Sequence, residues 1–139
     1  MNPLSWLLIV SAAALFGGML MFSLLVAPRV HARLPRDVAS DFLRGLFPWY
    51  YGYCGGLSVV LAASAWWTDA LWVFILSLPV MAGFAFAGAY LLPALNRASE
   101  QRDADPLTAD RFQRLHRMSM LVNLAQMLLL VVILVRVAL

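Results

Sequence analysis

Four stretches of this chain carry no Asp, Glu, Lys, Arg or His: residues 1–28, 45–68, 70–96 and 118–135. Crossing the hydrocarbon of a bilayer takes about 20 mostly apolar residues, with a range of roughly 17–25, and all four runs reach it. Composition agrees: 63% of the 139 residues are hydrophobic and 12% charged, against roughly 45–50% and roughly 25% in soluble globular proteins. So little polar surface cannot cover a water-soluble fold of this size. In lipid every backbone polar group must be satisfied internally, and a chain this short is ill-suited to closing a barrel. The sequence therefore predicts an all-α membrane protein: a single domain, 1–139, forming a four-transmembrane-helix bundle with spans at about 4–27, 48–67, 70–93 and 116–136. The first run lacks a basic residue ahead of its apolar stretch and exceeds the roughly 7–15 residues of a signal-peptide core, so it reads as an anchor.

Topology follows from the ten basic residues, all arginine. Arg29, Arg33, Arg36 and Arg44 follow the first run; Arg97, Arg102, Arg111, Arg114 and Arg117 separate the third from the fourth. Only Arg136 falls on the other side. The positive-inside rule puts both arginine-rich connectors in the cytoplasm and both termini on the non-cytoplasmic side of an inner membrane. Trp66-Trp67-Thr68-Asp69 then turns outside, its tryptophans suited to the interface. The net charge of +3 is accounted for by this arrangement and implies no nucleic-acid partner.

Between the first two runs, Val38, Phe42 and Leu46 recur at helical spacing, predicting a short cytoplasmic amphipathic helix. Pro48 is expected to kink or break the chain before the second span, and Trp49, Tyr50, Tyr51 and Tyr53 crowd the start of that span as an interfacial belt. Residues 97–105 read as a polar connector. Asp105 followed by Pro106 predicts an N-cap and first helical position, opening a long final helix. A faint repeat is also present: Gly18 lies ten residues before Pro28, as Gly83 does before Pro93. Each half is then an out-to-in span, a polar connector and a returning span, a parallel repeat.

The residues that stand out chemically are on the last helix. His116, Ser119, Asn123 and Gln126 are spaced three, four and three apart and share one face. Three of them lie in an otherwise apolar span, and such side chains face a bundle interior or a wet cavity. They serve either a ligand, ion or cofactor site or interhelical hydrogen bonding, worth about 0.6–2 kcal/mol per contact. His31 and His116, the two histidines, are both expected at the cytoplasmic edge. They are candidate ligands for haem, or for a metal ion with Asp37 or Asp110; the plainer reading is two interfacial side chains. Small residues in the first three spans (Ser11, Ala14, Gly17 and Gly18; Gly55, Gly56, Ala62 and Ala63; Gly83, Ala87 and Gly88) permit close helix approach. The lone cysteine, Cys54, excludes an internal disulfide and any Cys-based zinc cluster. No phosphate loop, HExxH or CxxC motif occurs.

Leu34-Pro35-Arg36, Leu46-Phe47-Pro48-x-Tyr50 and His116-x-x-Ser119-x-x-x-Asn123, in that order, resemble the transmembrane protein 205-like family of small membrane proteins, whose biochemical role is largely uncharacterised. The resemblance implies a four-span bundle and points to His116, Ser119 and Asn123; His31 is outside the pattern. Looser similarity to copper-resistance and haem-linked membrane proteins keeps a haem or metal cofactor in view. The reading is a non-enzymatic inner-membrane protein that meets the lipid bilayer and binds other membrane proteins or itself. The alternative is a haem- or metal-binding protein linked to redox or transport through His116.

Overall fold

A computed structural model describes residues 2–102 and 104–139. It is all-helical, with four helices: α1 (Pro3–Arg33), α2 (Arg36–Trp67), α3 (Leu71–Gln101) and α4 (Pro106–Ala138). Among the described residues α1, α3 and α4 are long and apolar enough to cross a membrane. α2 is as long, but its uncharged part is interrupted by tyrosines and glycines (Tyr50, Tyr51, Gly52, Tyr53, Gly55 and Gly56), so no span-length stretch of it is as apolar as those of the other three.

Local chemistry sets the helix ends. The Asn2 side chain accepts a hydrogen bond from the Leu4 amide at 2.6 Å, with Pro3 opening α1. Asp105 does the same for Leu107 at 3.0 Å, with Pro106 opening α4. A short side chain accepting from an otherwise unpaired first-turn amide is what stabilises a helix start. Between α2 and α3, Asp69 takes a left-handed conformation at φ 54°, one that aspartate tolerates better than most residues.

Proline does not interrupt the helices at Pro28 or Pro93. α1 and α3 run past Pro28 and Pro93 by widening into one π-helical turn each, Phe22–Val26 and Ala87–Leu91. The Ala27 amide reaches back to the Phe22 carbonyl, and the Leu92 amide to that of Ala87. A five-residue reach places an extra residue ahead of the proline, easing the clash of its ring with the preceding turn. The two π turns stand in the same register to their prolines, which extends the Gly–Pro repeat of the two halves. Pro48 lies inside α2, which continues through it, so the expected amphipathic segment is the first part of one 32-residue helix. The polar connector before α4 likewise shrinks, because α3 extends to Gln101.

The helices pack in chain order around a ring, α1 on α2, α2 on α3, α3 on α4 and α4 back on α1. Phe22 stacks on Tyr50 and Gly18 faces Tyr53, so α1 and α2 are antiparallel. Two sites of close approach hold the hairpins together. The Tyr53 hydroxyl donates to the Ala14 carbonyl over Gly18, and the Gln126 amide donates to the Val80 carbonyl over Gly83. In each, the returning helix places a polar side chain over the glycine. The half of the ring nearer the α2–α3 turn is filled by Leu8, Leu15, Met19, Leu61, Val80, Leu130 and Ile133. A smaller cluster, Ala87, Leu91, Ala94, Ala98 and Leu115, joins α3 to α4 in the other half. Trp6, Trp66, Trp67 and Trp72 are exposed at the end of the bundle that carries the α2–α3 turn, and Trp49 is 79% exposed on α2.

Candidate functional site

Side-chain size explains why the half of the ring away from the α2–α3 turn is not filled. The faces turned inward there include Ser23, Ala27, Ser40, Ala87 and Ser99, too short to meet across the ring. A cavity of about 980 Å³ results, at the upper end of the roughly 300–1,000 Å³ range of small-molecule sites. Phe22, Leu24, Leu43, Phe47, Leu92, Leu95, Phe112, Val122 and Met127 form apolar walls.

The polar face of α4 supplies the deep end, and all four of its predicted residues line the cavity. Gln126 is buried and donates to the Val80 carbonyl at 2.9 Å. Asn123 donates to Ser23 Oγ on α1 at 3.1 Å and accepts from the Tyr50 hydroxyl on α2 at 3.5 Å. Ser119 lies within hydrogen-bonding reach of Tyr51. α2 and α4 stand diagonally across the ring, so these tyrosines bridge it by side chains alone. His116, further out, stacks parallel to Phe112 with ring centroids 6.1 Å apart. His31 lines the same mouth, near enough to His116 to interact electrostatically. The two histidines expected at this edge are therefore brought together. Among the described residues no three His, Cys, Asp or Glu side chains converge on one point, and Asp37 and Asp110 do not line the cavity.

The cationic lining was not anticipated. Arg36, Ser40 and Arg44, one turn apart on α2, face the cavity and are joined by Asn96 and Ser99 of α3 and by Arg102 just past its end. The apolar stripe that suggested an interfacial helix points the other way: Val38 and Phe42 are about half exposed, while Ala39 and Leu43 are buried. The signal was present as Arg–Ser–Arg at i, i+4 and i+8, but spacing alone does not say which of two stripes faces the bundle. Arg44 pairs with Glu100 at 2.8 Å, tying α2 to α3 across the mouth, and its Nε–H is buried without a hydrogen-bond partner among the described residues. The Arg102 guanidinium sits 4.9 Å from the centre of the Phe112 ring.

The sequence profile of a domain of unknown function (DUF4149) matches residues 10–104. The chain belongs to this family. The DUF4149 match takes in every cavity-lining residue of α1, α2 and α3 and stops before α4. No curated protein and no solved structure shows significant similarity to the chain.

Proposed function

We propose that this DUF4149 protein is a four-span inner-membrane bundle of the transmembrane protein 205-like type, non-enzymatic, that works by holding a ligand in its cytoplasm-facing cavity. α2 is the fourth span in this reading. Trp49 and Trp66 are about 25 Å apart along α2 at roughly 1.5 Å per residue, close to the roughly 30 Å of bilayer hydrocarbon, and α2 packs between α1 and α3. With four spans both termini are non-cytoplasmic, in keeping with the nine-to-one split of arginines. Ser119, Asn123 and Gln126 then act both as interhelical ties and as the polar end of the site.

The single observation that carries the reading is the cavity itself, with an apolar body, an amide- and hydroxyl-lined end and a polar mouth. Amides, hydroxyls and cations bind by hydrogen bonding and charge. A site of this make-up suits a molecule with an extended apolar part. The test is native mass spectrometry of protein purified in mild detergent. A bound amphiphile that is lost from Asn123→Leu and from a cavity-filling Ser23→Phe variant supports the reading; an empty protein that takes up no amphiphile contradicts it.

The second reading, haem or metal held through His116, is favoured by the approach of His31 to His116 at the mouth. An absorbance spectrum and metal analysis of the same sample decide it. A Soret band or stoichiometric metal that disappears in His116→Ala supports the cofactor; a colourless, metal-free protein with amphiphile bound rejects it.

A further inference from the structure

The four seams of the ring are not closed alike in the half that holds the cavity. Phe22 packs on Phe47 and Tyr50 between α1 and α2, the Arg44–Glu100 pair spans α2 and α3, and Ala87, Leu91, Ala94, Ala98 and Leu115 join α3 to α4. Between α4 and α1, among the described residues, packing runs only along Pro3–Met21, and no Cα of Phe22–Arg33 comes within 8 Å of α4. α1 leaves α4 at its π turn, Phe22–Val26, with Pro28 two residues past it; widened turns and prolines are the features that redirect a helix. One hydrogen bond, from Asn123 Nδ2 to Ser23 Oγ at 3.1 Å, spans the gap at its deep end. Leu24 on α1 and Met120, Leu121 and Leu124 on α4 line the cavity and are each more than half exposed. At about 3.6 residues per turn Leu121 points nearly opposite to Asn123, so a cavity lined by both opens sideways at the edge of α4.

Resting on the reading that the cavity holds a ligand, we propose that the ligand is a bilayer lipid whose acyl chain enters sideways between α1 and α4. The rim residues belong to the uncharged runs 1–28 and 118–135, just inside Arg29 and Arg117. In a four-span bundle that level is where the acyl chains of the cytoplasmic leaflet meet their headgroups. Hydrocarbon lies against the seam there and meets an apolar rim. Protein interiors are close-packed and apolar walls give water few partners, so a chain is the fitting occupant of the space. Past the rim it reaches Phe47 of α2 and Leu92 and Leu95 of α3, on the two helices across the ring, while its headgroup stays at the membrane surface.

The experiment uses the full-length protein in phosphatidylcholine nanodiscs that contain a phosphatidylcholine with a photoactivatable diazirine near the end of one chain. After illumination, mass spectrometry of peptides maps the adducts. The expected result is adducts on the interior residues Phe47, Leu92 or Leu95 as well as on the exposed Leu128 and Val131. A Leu24→Trp/Leu121→Trp variant, which narrows the opening at two exposed positions, loses the interior adducts and keeps those on Leu128 and Val131, a pattern that misfolding would not produce. Interior adducts that persist in this variant overturn the inference, because the chain then enters by another seam. A second arm adds a photoactivatable fatty acid from water to the protein in detergent. Interior labelling by the fatty acid but not by the phospholipid means that the cavity loads from its aqueous mouth; it overturns this inference and leaves the ligand-holding reading standing. Interior labelling by neither overturns both.

Discussion

Replacing Gly83 with alanine tests the closest approach in the ring. A methyl group there would lie 2.5 Å from Gln126 Nε2 and 2.8 Å from its Cδ, well inside contact distance. Either the amide leaves the Val80 carbonyl or α3 and α4 move apart. The first loses a buried hydrogen bond, worth about 0.6–2 kcal/mol in a membrane protein; the second costs about 1–3 kcal/mol of overpacking strain. Against either stands the helix preference of alanine over glycine, about 0.5–1 kcal/mol. A net loss of about 0.5–1.5 kcal/mol is therefore expected from Gly83→Ala, the less costly of the two responses setting it. Because every close atom belongs to Gln126, the penalty should vanish when that side chain is gone. In a Gln126→Ala background, Gly83→Ala should be neutral or stabilising. Reversible SDS or thermal unfolding of the four proteins, with circular dichroism to confirm helix content, gives the coupling as a double-mutant cycle. An unchanged cost of Gly83→Ala in the Gln126→Ala background would refute the contact.

Asn123→Leu leaves Ser23 and Tyr50 without their shared partner and should lower stability in detergent by about 1 kcal/mol; unchanged melting would mean that the face is not held against α1 and α2. The neighbouring glycines of α1 should behave differently. Gly17→Ala meets nothing within 4 Å and should be neutral or slightly stabilising, whereas Gly18→Ala comes within 2.9 Å of the Tyr53 ring and should melt lower, with Tyr53→Ala relieving the difference.

Helix content and the α4 cap were legible in the sequence because they rest on local chemistry: long uncharged runs, and a capping aspartate ahead of proline. The shared face of His116, Ser119, Asn123 and Gln126 was legible because helical spacing fixes it. The π turns were not, since a proline in a long apolar run predicts a break unless the preceding turn can widen. The partners of the polar face were also hidden. Nothing in the spacing of Tyr50 and Tyr51 says that they reach across a ring to α4, and Gly83 reads as a generic packing residue until Gln126 is seen over it. The arginines posed a different difficulty. Their distribution along the chain reads as a topology signal, so their place in the cavity lining appears only when α2 is rotated into place.

The account depends most on α2 crossing the membrane, because that puts the arginine-lined mouth in the cytoplasm and both termini outside. Single cysteines at Asp69 and Ser99, introduced with Cys54 replaced by alanine, measure it directly in intact cells with an impermeant thiol reagent. A four-span protein labels at position 69 and stays unlabelled at 99 until the membrane is permeabilised. If α2 lay along the cytoplasmic face instead, position 69 would be protected and position 99 would label from outside, and the proposed orientation of the cavity would be wrong.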